Sequence, residues 1–318
     1  MGVYIIAEMS CNHMGSFDKA IEIIDAAANA GADAVKISLD SPDGGLTINH
    51  KSGNFMIKDG PWKGEYLHDL YARTHTPWTW AARLKAHADS LGIELFATVS
   101  CKYGVEFCEA LDMPRYKVSS YEACDIPLIR EIKKTGKPVI VSCGMDWHDA
   151  WDELQGYPAS FLYCVSKYPA TTEDFDLNVM REFDGISDHS AWSNDVAVAA
   201  VAQGAQIVER HLMLYQPFDG ISPDHAFSLD VGDFGTMVSS IRRVQRMMRP
   251  KQFKRPDRQL CKSLYCVEDI KKGERFTDSN VRAIRPGNGL HPREYYRIIG
   301  LVSKCDIKRG MPIKEAMI

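Results

Sequence analysis

Short apolar runs rich in β-branched residues alternate with longer stretches in which apolar residues recur every three or four positions. The short runs predict strands at residues 3–7, 34–37, 93–98, 115–118, 138–141, 161–165, 185–187 and 206–208. The longer stretches predict amphipathic helices at residues 17–30, 79–91, 103–111, 126–135, 194–203 and 231–248. Eight strands with helices between most of them are typical of parallel strands joined by crossover helices. The pattern therefore predicts an α/β fold, a (β/α)8 TIM barrel, over residues 1–248.

A doubly wound open sheet is the main alternative to the barrel. That fold usually carries a G-x-G-x-x-G turn after its first strand, and no such turn follows the strand at residues 3–7. The barrel is therefore favoured.

Three segments depart from this alternation of strands and helices. Residues 39–78 are rich in Gly, Asp, His and aromatic residues and predict a long loop, which in a compact domain is usually functional. Residues 249–262 are basic, contain two prolines and predict a linker. Residues 263–318 hold short strand-like pieces at 263–267, 281–285 and 307–313, and they predict a small, mainly β domain. Because so small a core is marginal alone, we expect this domain to dock on a partner surface.

Composition narrows the class of protein. The chain has 38 Lys+Arg against 42 Asp+Glu, a formal net charge of −4, which argues against nucleic acid as a partner. No run of about 18 apolar residues predicts a membrane span, and the first residues lack the pattern of a secretory signal. The nine cysteines lack paired metal-type spacing. We therefore expect reduced cysteines and a cytoplasmic enzyme.

Polar and ionisable residues follow the predicted strands. In chain order they are Glu8, Lys36, Thr98, Lys117, Ser120, Glu122, Ser142, Ser166, Tyr168, Asp188, His189, Glu209 and His211. Because active sites of TIM barrels form at the carboxyl ends of the strands, these residues predict the active site.

The two histidines follow neighbouring strands. His189 and His211 could hold one divalent metal through imidazole nitrogens, with Asp188, Glu209 or Asp224 as a further ligand or support. The alternative is a hydrogen-bonded pair of core histidines. Their paired position at strand ends favours the metal.

The lysines predict an anion site. Lys36 and Lys117, with the hydroxyls of Thr98, Ser120 and Ser142, could bind a phosphate or carboxylate. Alternatively, Lys36 could form a Schiff base, as in barrel aldolases.

Three further charged residues are candidates. Glu8 and Glu122 are candidate acid/base or sugar-binding groups, or structural ion-pair partners of the lysines. Arg285 precedes the turn-forming run Pro-Gly-Asn-Gly, which would project it outward. A plain surface arginine is the alternative for that residue.

Several motifs resemble those of one family. They are IIAEMSCNHMG (5–15), GADAVKIS (31–38), YKVSSYE (116–122), KPVIVSCGM (137–145), YCVSKYP (163–169), ISDHS (186–190), IVERH (207–211), SPDHAFSL (222–229) and SLYCVEDIKKGE…VRAIRPGNGL (263–290). The chain resembles the phosphoenolpyruvate-dependent sialic acid (nonulosonic acid) synthases, whose C-terminal domain is the antifreeze-like SAF domain. The resemblance implies a TIM barrel at 1–248, a linker at 249–262 and a SAF domain at 263–318.

The resemblance also implies a reaction. Carbon 3 of phosphoenolpyruvate attacks the aldehyde of an open-chain amino sugar, water adds at carbon 2, and phosphate leaves by C–O cleavage. Substrate-binding residues would be Lys36, Thr98, Lys117, Ser120, Ser142, Ser166, Tyr168, Ser187 and Arg285. His189 and His211 would hold the divalent metal, Mn2+ first, with Mg2+ or Co2+ as alternatives. Glu8 is the first choice for proton transfer, and Glu122 and Asp224 would orient the sugar or the metal's water.

By the same resemblance, Arg285 reaches the active site of the other subunit and contacts an N-acyl group, which implies a domain-swapped homodimer. Residues 53–80, 120–129 and 281–292 look most like pseudaminic acid synthases, which use 2,4-diacetamido-2,4,6-trideoxy-L-altrose. N-acetylneuraminate or legionaminate synthesis is the alternative, and a Schiff-base aldolase or a non-catalytic binding protein is more distant.

The chain departs from the family at several positions. The family usually has Gln at Ser38, Thr at Cys143, His or Lys at Tyr163 and a TPFD-like run at residues 98–101. We therefore expect the sugar pocket near Ser38 and Ser100 to differ from that of relatives.

Overall fold

A computed structural model describes residues 2–42, 45–214, 222–250 and 258–318. The chain divides into two compact units, Met1–Arg249 and Pro250–Ile318. Residues 251–257, half of the predicted linker, lie outside the described residues. Nine cysteines are free thiols. Across the described ranges, no helix is both long enough and apolar enough to traverse a lipid bilayer.

The first unit is a closed barrel of parallel strands in chain order, which confirms the predicted fold. Its strands are β1 (Tyr4–Glu8), β2 (Ala34–Ser38), β3 (Glu94–Thr98), β4 (Tyr116–Val118), β5 (Val139–Cys143), β6 (Ala159–Cys164), β7 (Gly185–Asp188) and β8 (Ile207–His211). The pairing of β1 with β8 closes the barrel and sets Glu8 opposite His211, while its pairing with β2 sets Glu8 opposite Lys36. Strand β8 runs past the predicted 206–208, so Glu209 and His211 belong to the strand itself.

Within the described residues of this unit, eight segments are α-helical. They are α1 (Phe17–Ala30), α2 (Leu67–Thr74), α3 (Trp78–Leu91), α4 (Lys102–Ala110), α5 (Ile126–Thr135), α6 (His148–Glu153), α7 (Asp195–Gln203) and α8 (Val231–Met248). The ends of α1 follow the expected signals: Ser16 accepts a hydrogen bond from the Lys19 amide, and Gly31 ends the helix at a φ of 83°. Helix α6 was not predicted, because six residues are too few for a helical period to be visible.

The prediction of a continuous loop at residues 39–78 was wrong. Helix α2 lies within it, and an antiparallel bridge joins Met56 to Tyr66 just before that helix. The Thr76 amide donates to the Ser38 carbonyl at 2.8 Å, and the Trp78 indole donates to the Leu39 carbonyl at 3.0 Å. The end of the segment is therefore hydrogen-bonded to the carboxyl end of β2, the strand that precedes it.

The interior of the barrel is built in two layers. Ile6, Ala34, Phe96, Ile140 and Leu162 form an apolar cluster of their own. Two residues further along the same strands stand Glu8, Lys36, Thr98, Ser142 and Cys164. Because side chains two apart on a strand share a face, these polar groups also point into the barrel, one layer closer to its carboxyl end. The remaining strand residues, such as Ile5 and Ala7, pack outward against the helices.

The second unit is small and mainly β, as predicted. Strands β9 (Ser263–Cys266) and β10 (Val281–Ile284) pair antiparallel, and a short helix α9 covers Tyr295–Ile298. Its core consists of Leu264, Cys266, Ile270, Phe276, Val281, Ile298, Ile307 and Ile313. The strand predicted at 307–313 forms only isolated bridges, in which Ile307 pairs with Ile270 and Pro312 with Tyr265.

Candidate active site

A cavity of about 900 Å3 lies at the carboxyl ends of the barrel strands. Its lining includes most of the site residues that the sequence predicted in the first unit: Glu8, Lys36, Thr98, Lys117, Ser120, Glu122, Ser142, Ser166, Tyr168, Ser187, His189, Glu209, His211 and Asp224. Asp188 is the exception, because its carboxylate is buried against Arg210 on the other face of its strand and does not line the cavity. Their individual roles stay predictions. Arg285 belongs to the second unit, where it follows β10, is exposed and precedes Pro286 through a cis peptide bond.

Lys36 is held as a cation on the cavity floor. Its Nζ lies 2.6 Å from Glu8 Oε2 and 3.7 Å from Glu209 Oε1, and it donates to Thr98 Oγ1 at 2.8 Å. Burial alone would lower the pKa of Lys36, but Glu209 and Glu8 raise it above its ordinary value. A Schiff-base lysine needs a free amine, so this environment disfavours that alternative.

Lys117 is the second buried cation. Its Nζ donates to Ser142 Oγ at 2.6 Å and to the Val118 carbonyl at 3.1 Å, and its side chain is 2% exposed. Burial lowers the pKa of Lys117, against the attraction of Glu209. An anionic ligand would favour the charged form of this lysine.

Glu209 joins the two lysines. Its Oε1 lies 3.7 Å from both ammonium groups and accepts a hydrogen bond from Ser187 Oγ at 3.0 Å. The sequence prediction considered Glu209 only as a metal ligand or support. The alternation of side chains along β8 could have identified Glu209 as a cavity residue, because Glu209 lies two residues before His211 and points to the same inner face of the barrel.

The two floor carboxyls differ in proton affinity. Burial raises the pKa of Glu8, whereas Lys117 and Lys36 lower that of Glu209 despite its burial. When the pKa values of two neighbouring carboxyls are separated in this way, the one with the raised pKa is the better candidate for a proton carrier.

The two histidine rings are direct neighbours in the cavity lining. The ring centroids of His189 and His211 are 5.3 Å apart. His189 Nδ1 lies 3.7 Å from Cys164 Sγ, and His211 Nδ1 lies 3.3 Å from Asp224 Oδ2. Burial, reinforced by the His211 and Arg210 charges, lowers the pKa of His189, so its imidazole is neutral as a metal ligand must be.

This pair fits a metal that takes its other ligands from bound substrate. Within the described ranges, no group of three or more His, Cys, Asp or Glu side chains is arranged to hold a metal. Two imidazoles, one of them backed by the Asp224 carboxylate, are the donor set of an open site. The protein side of such a site is His189 and His211.

Another carboxyl pair lies near residues 39–78, the insertion between β2 and α3. Asp40 accepts from Ser38 Oγ at 2.7 Å, and Ser119 Oγ donates to Glu122. Burial, together with the charge of Asp40, raises the pKa of Glu122 to about 7. Asp40 was missed because it stands in a segment without periodicity.

Aromatic rings line the side of the cavity above the histidines. Tyr168 lies 4.6 Å from His189 and 5.2 Å from Phe227 between ring centroids, and Phe227 lies 4.9 Å from His211. Trp62 and Tyr121 extend this wall. The sequence predicted only Tyr168, since the other rings come from loops with no strand-end position to mark them.

The barrel, with its converging lysines, carboxyls and histidines, defines a TIM-barrel enzyme with two buried lysines on the floor of its cavity. The sequence pattern of the NeuB family matches residues 23–252, and that of the SAF domain matches residues 262–318. The chain belongs to the NeuB family and ends in a SAF domain.

Named relatives span the whole chain. It is 37% identical over 332 residues to the pseudaminic acid synthase of Campylobacter jejuni, which covers 98% of this chain and 96% of the relative. It is 32% identical to the pseudaminic acid synthase of Helicobacter pylori, with 97% and 96% covered. Among solved structures, the spore coat polysaccharide biosynthesis protein SpsE of Bacillus subtilis superposes with a TM-score of 0.63 at 28% identity, covering 100% of this chain and 95% of that one.

Proposed function

We propose that this protein condenses phosphoenolpyruvate with 2,4-diacetamido-2,4,6-trideoxy-L-altrose and water to give pseudaminic acid and phosphate. One observation carries the chemistry: two buried lysines, joined through Glu209, face the same cavity as a pair of histidines. The choice of sugar rests on the full-length similarity to the two pseudaminic acid synthases.

The floor binds phosphoenolpyruvate. The substrate carries a phosphate and a carboxylate, and both require cations and hydrogen-bond donors that are already oriented. Lys36 and Lys117 supply the charge. The hydroxyl groups come from Thr98, Ser120, Ser142, Ser166 and Ser187, and all of them line the cavity.

Glu8 handles the proton. As carbon 3 of phosphoenolpyruvate bonds to the aldehyde carbon, the aldehyde oxygen gains negative charge and takes up a proton, and the water that adds at carbon 2 loses one. A carboxyl with a raised pKa, 2.6 Å from Lys36, is suited to give and take these protons. Phosphate then leaves with the C–O bond electrons.

In this proposal the site binds a divalent metal. Mn2+ is the first choice, and Mg2+ and Co2+ are the alternatives. Bound there, it would act as a Lewis acid toward the aldehyde oxygen. His189 and His211 supply the protein ligands. Asp224, 3.3 Å from His211, orients that imidazole and lines the cavity, where it could orient the sugar or a water molecule.

The sugar lies toward the insertion. Glu122 and Tyr168 line that part of the cavity and are placed to contact its hydroxyl and amide groups. In this proposal the enzyme is a domain-swapped homodimer, and the partner subunit's Arg285 contacts an N-acyl group. The exposure of Arg285 and the small core of the second unit support that arrangement.

The test is phosphate release from phosphoenolpyruvate with Mn2+ and three acceptors: the diacetamido-trideoxy-altrose, N-acetylmannosamine and a diacetamido-trideoxy-mannose. We expect turnover with the altrose alone, abolished by EDTA. Lys117→Met should be inactive, while Lys102→Met, a matched change at an exposed lysine, should not change the rate.

Other results would reject parts of the proposal. Turnover with another acceptor would keep the chemistry and overturn the choice of sugar. Trapping of the protein by borohydride and pyruvate, with no effect of EDTA, would support a Schiff-base aldolase instead.

A further inference from the structure

Trp62 brings the insertion between β2 and α3 into the cavity. It lines the cavity wall, and its ring centroid lies 5.8 Å from that of Tyr168 and 6.4 Å from that of Phe227. These two rings in turn contact the histidines: Tyr168 lies 4.6 Å from His189, and Phe227 lies 4.9 Å from His211. Trp62 is therefore one ring removed from the reacting end of the site.

The indole N–H of Trp62 is buried and finds no acceptor among the residues that the structure describes. Other tryptophans of this unit are satisfied: Trp78 Nε1 donates to the Leu39 carbonyl at 3.0 Å, and Trp192 Nε1 donates to the His225 carbonyl at 3.1 Å. Buried N–H groups are nearly always paired, because an unpaired one loses its hydrogen bond to water without replacement. A donor left unpaired in a cavity wall is suited to an acceptor on the ligand.

The ring contacts of Trp62 belong to an aromatic wall of the cavity. Trp62 contacts Tyr168 and Phe227, and Tyr121 stacks on Tyr168 with centroids 6.3 Å apart. Lys36 and its partners lie on the floor, and Asp40 and Glu122 form the carboxyl pair near the insertion. A ligand group that fits here has one hydrogen-bond acceptor and an apolar end. An N-acyl group has both, in its carbonyl oxygen and its methyl.

We propose that Trp62 is a specificity-determining residue that recognises an N-acyl group of the amino sugar. Its indole N–H donates to the acyl oxygen, and the acyl methyl packs against the aromatic wall. This inference rests on the proposed function, and it concerns the second acyl group of a diacetamido sugar, beyond the one assigned to the partner subunit's Arg285. A sugar that carries a free amine at that position has no acceptor to offer and should bind less well.

The test compares wild type and its tryptophan variants with three sugars. Trp62→Phe keeps an aromatic ring and removes the N–H, and Trp151→Phe is the matched control on α6, outside the cavity lining. Steady-state rates with Mn2+ give separate KM values for the sugar and for phosphoenolpyruvate. The sugars are the diacetamido-trideoxy-altrose and its two mono-N-acetyl analogues, each with one free amine.

We expect Trp62→Phe to raise the KM for the diacetamido sugar about 3- to 10-fold, the range for one neutral hydrogen bond, and to leave the KM for phosphoenolpyruvate unchanged. With one of the two analogues, Trp62→Phe and wild type should have equal KM values, because the acceptor is already missing. Trp151→Phe should match wild type throughout. Trp62→Ala should raise the sugar KM further, and circular dichroism checks that it folds.

Three results would overturn the inference while leaving the proposed function intact. The first is an unchanged KM for the diacetamido sugar in Trp62→Phe, and the second is a rise in KM, relative to wild type, that is equal for both analogues. The third is tighter binding of a free-amine sugar by wild type, which would point to recognition by Asp40 and Glu122. If wild type releases no phosphate with the diacetamido sugar, the proposed function itself fails and the inference falls with it.

Discussion

Arg210 and Asp188 form an ion pair that solvent does not reach: Arg210 Nη1 lies 3.1 Å from Asp188 Oδ1, and both side chains are 0% exposed. Arg210 also donates to the carbonyls of Asp188 at 2.9 Å and Ser190 at 2.6 Å. Because strand side chains alternate, this pair points away from the cavity while His189 and His211, each one residue on, belong to the opposite face. The ion pair therefore ties together the two strand ends that carry the histidines.

Removing one partner of this pair should be costly. Arg210→Met leaves the Asp188 carboxylate buried without its cation, and we expect the free energy of unfolding to fall by about 3–5 kcal/mol. Urea unfolding followed by circular dichroism measures it. Arg130→Met is the matched control, since Arg130 pairs with Glu153 at the surface and its loss should cost at most ~1 kcal/mol. Equal losses in the two variants would show that the buried pair has no special role.

Glu209 should be needed for both lysines at once. Glu209→Gln removes the charge that lies 3.7 Å from Lys36 and Lys117 while keeping the shape of the side chain. Without it, burial favours a neutral Lys117, and we expect kcat/KM for phosphoenolpyruvate to fall on the order of 100-fold. Glu106→Gln, at an exposed glutamate, is the control. A change confined to the KM of the sugar would contradict this assignment.

Glu122 should make stability depend on pH. Its pKa rises from 4.5 to about 7 on folding, mainly through burial, so the folded state binds a proton more tightly than the unfolded state. The free energy of unfolding of the wild type therefore falls as pH rises from about 4.5 to about 7. The Glu122→Gln variant lacks this carboxyl, so this contribution to the pH dependence of its free energy of unfolding is absent.

The measurement compares Glu122→Gln with wild type by urea unfolding at pH 5 and pH 8. The variant should gain on wild type by on the order of 2 kcal/mol more at pH 8 than at pH 5. Glu182→Gln, at an exposed glutamate, should show the same difference at both pH values. A gain at pH 5 that disappears at pH 8 would have the wrong sign.

The site residues at the strand ends could be predicted from sequence, because the carboxyl ends of all strands of a parallel barrel meet at the same end of the barrel. Glu8, Lys36 and Thr98 each stand two residues after an apolar interior residue, so their inward direction follows from the strand period. The same rule could have reached Glu209, which stands two residues after Ile207, whereas Lys117 follows from its register beside Thr98.

The insertion side of the cavity could not be predicted in this way. Asp40 and Trp62 stand in a segment without a repeating pattern, and their positions depend on contacts such as the Thr76 amide with the Ser38 carbonyl. Helix α2 was missed for a related reason: its eight residues have a single buried position, Leu70, which gives no visible period.

Asp224 offers a test of the metal site that does not remove a ligand. Its carboxylate lies 3.3 Å from His211 Nδ1, and Asp224→Asn would weaken the orientation of that imidazole while leaving both histidines in place. Loss of such support costs 10- to 100-fold in metal affinity, so we expect the Mn2+ concentration for half-maximal phosphate release to rise by about that factor after treatment with EDTA and titration with Mn2+. Asp152→Asn, at an exposed position on α6, should follow the wild-type curve. Full activity of the EDTA-treated wild type without added metal would contradict the site, and an unchanged Mn2+ curve for Asp224→Asn would restrict Asp224 to the sugar.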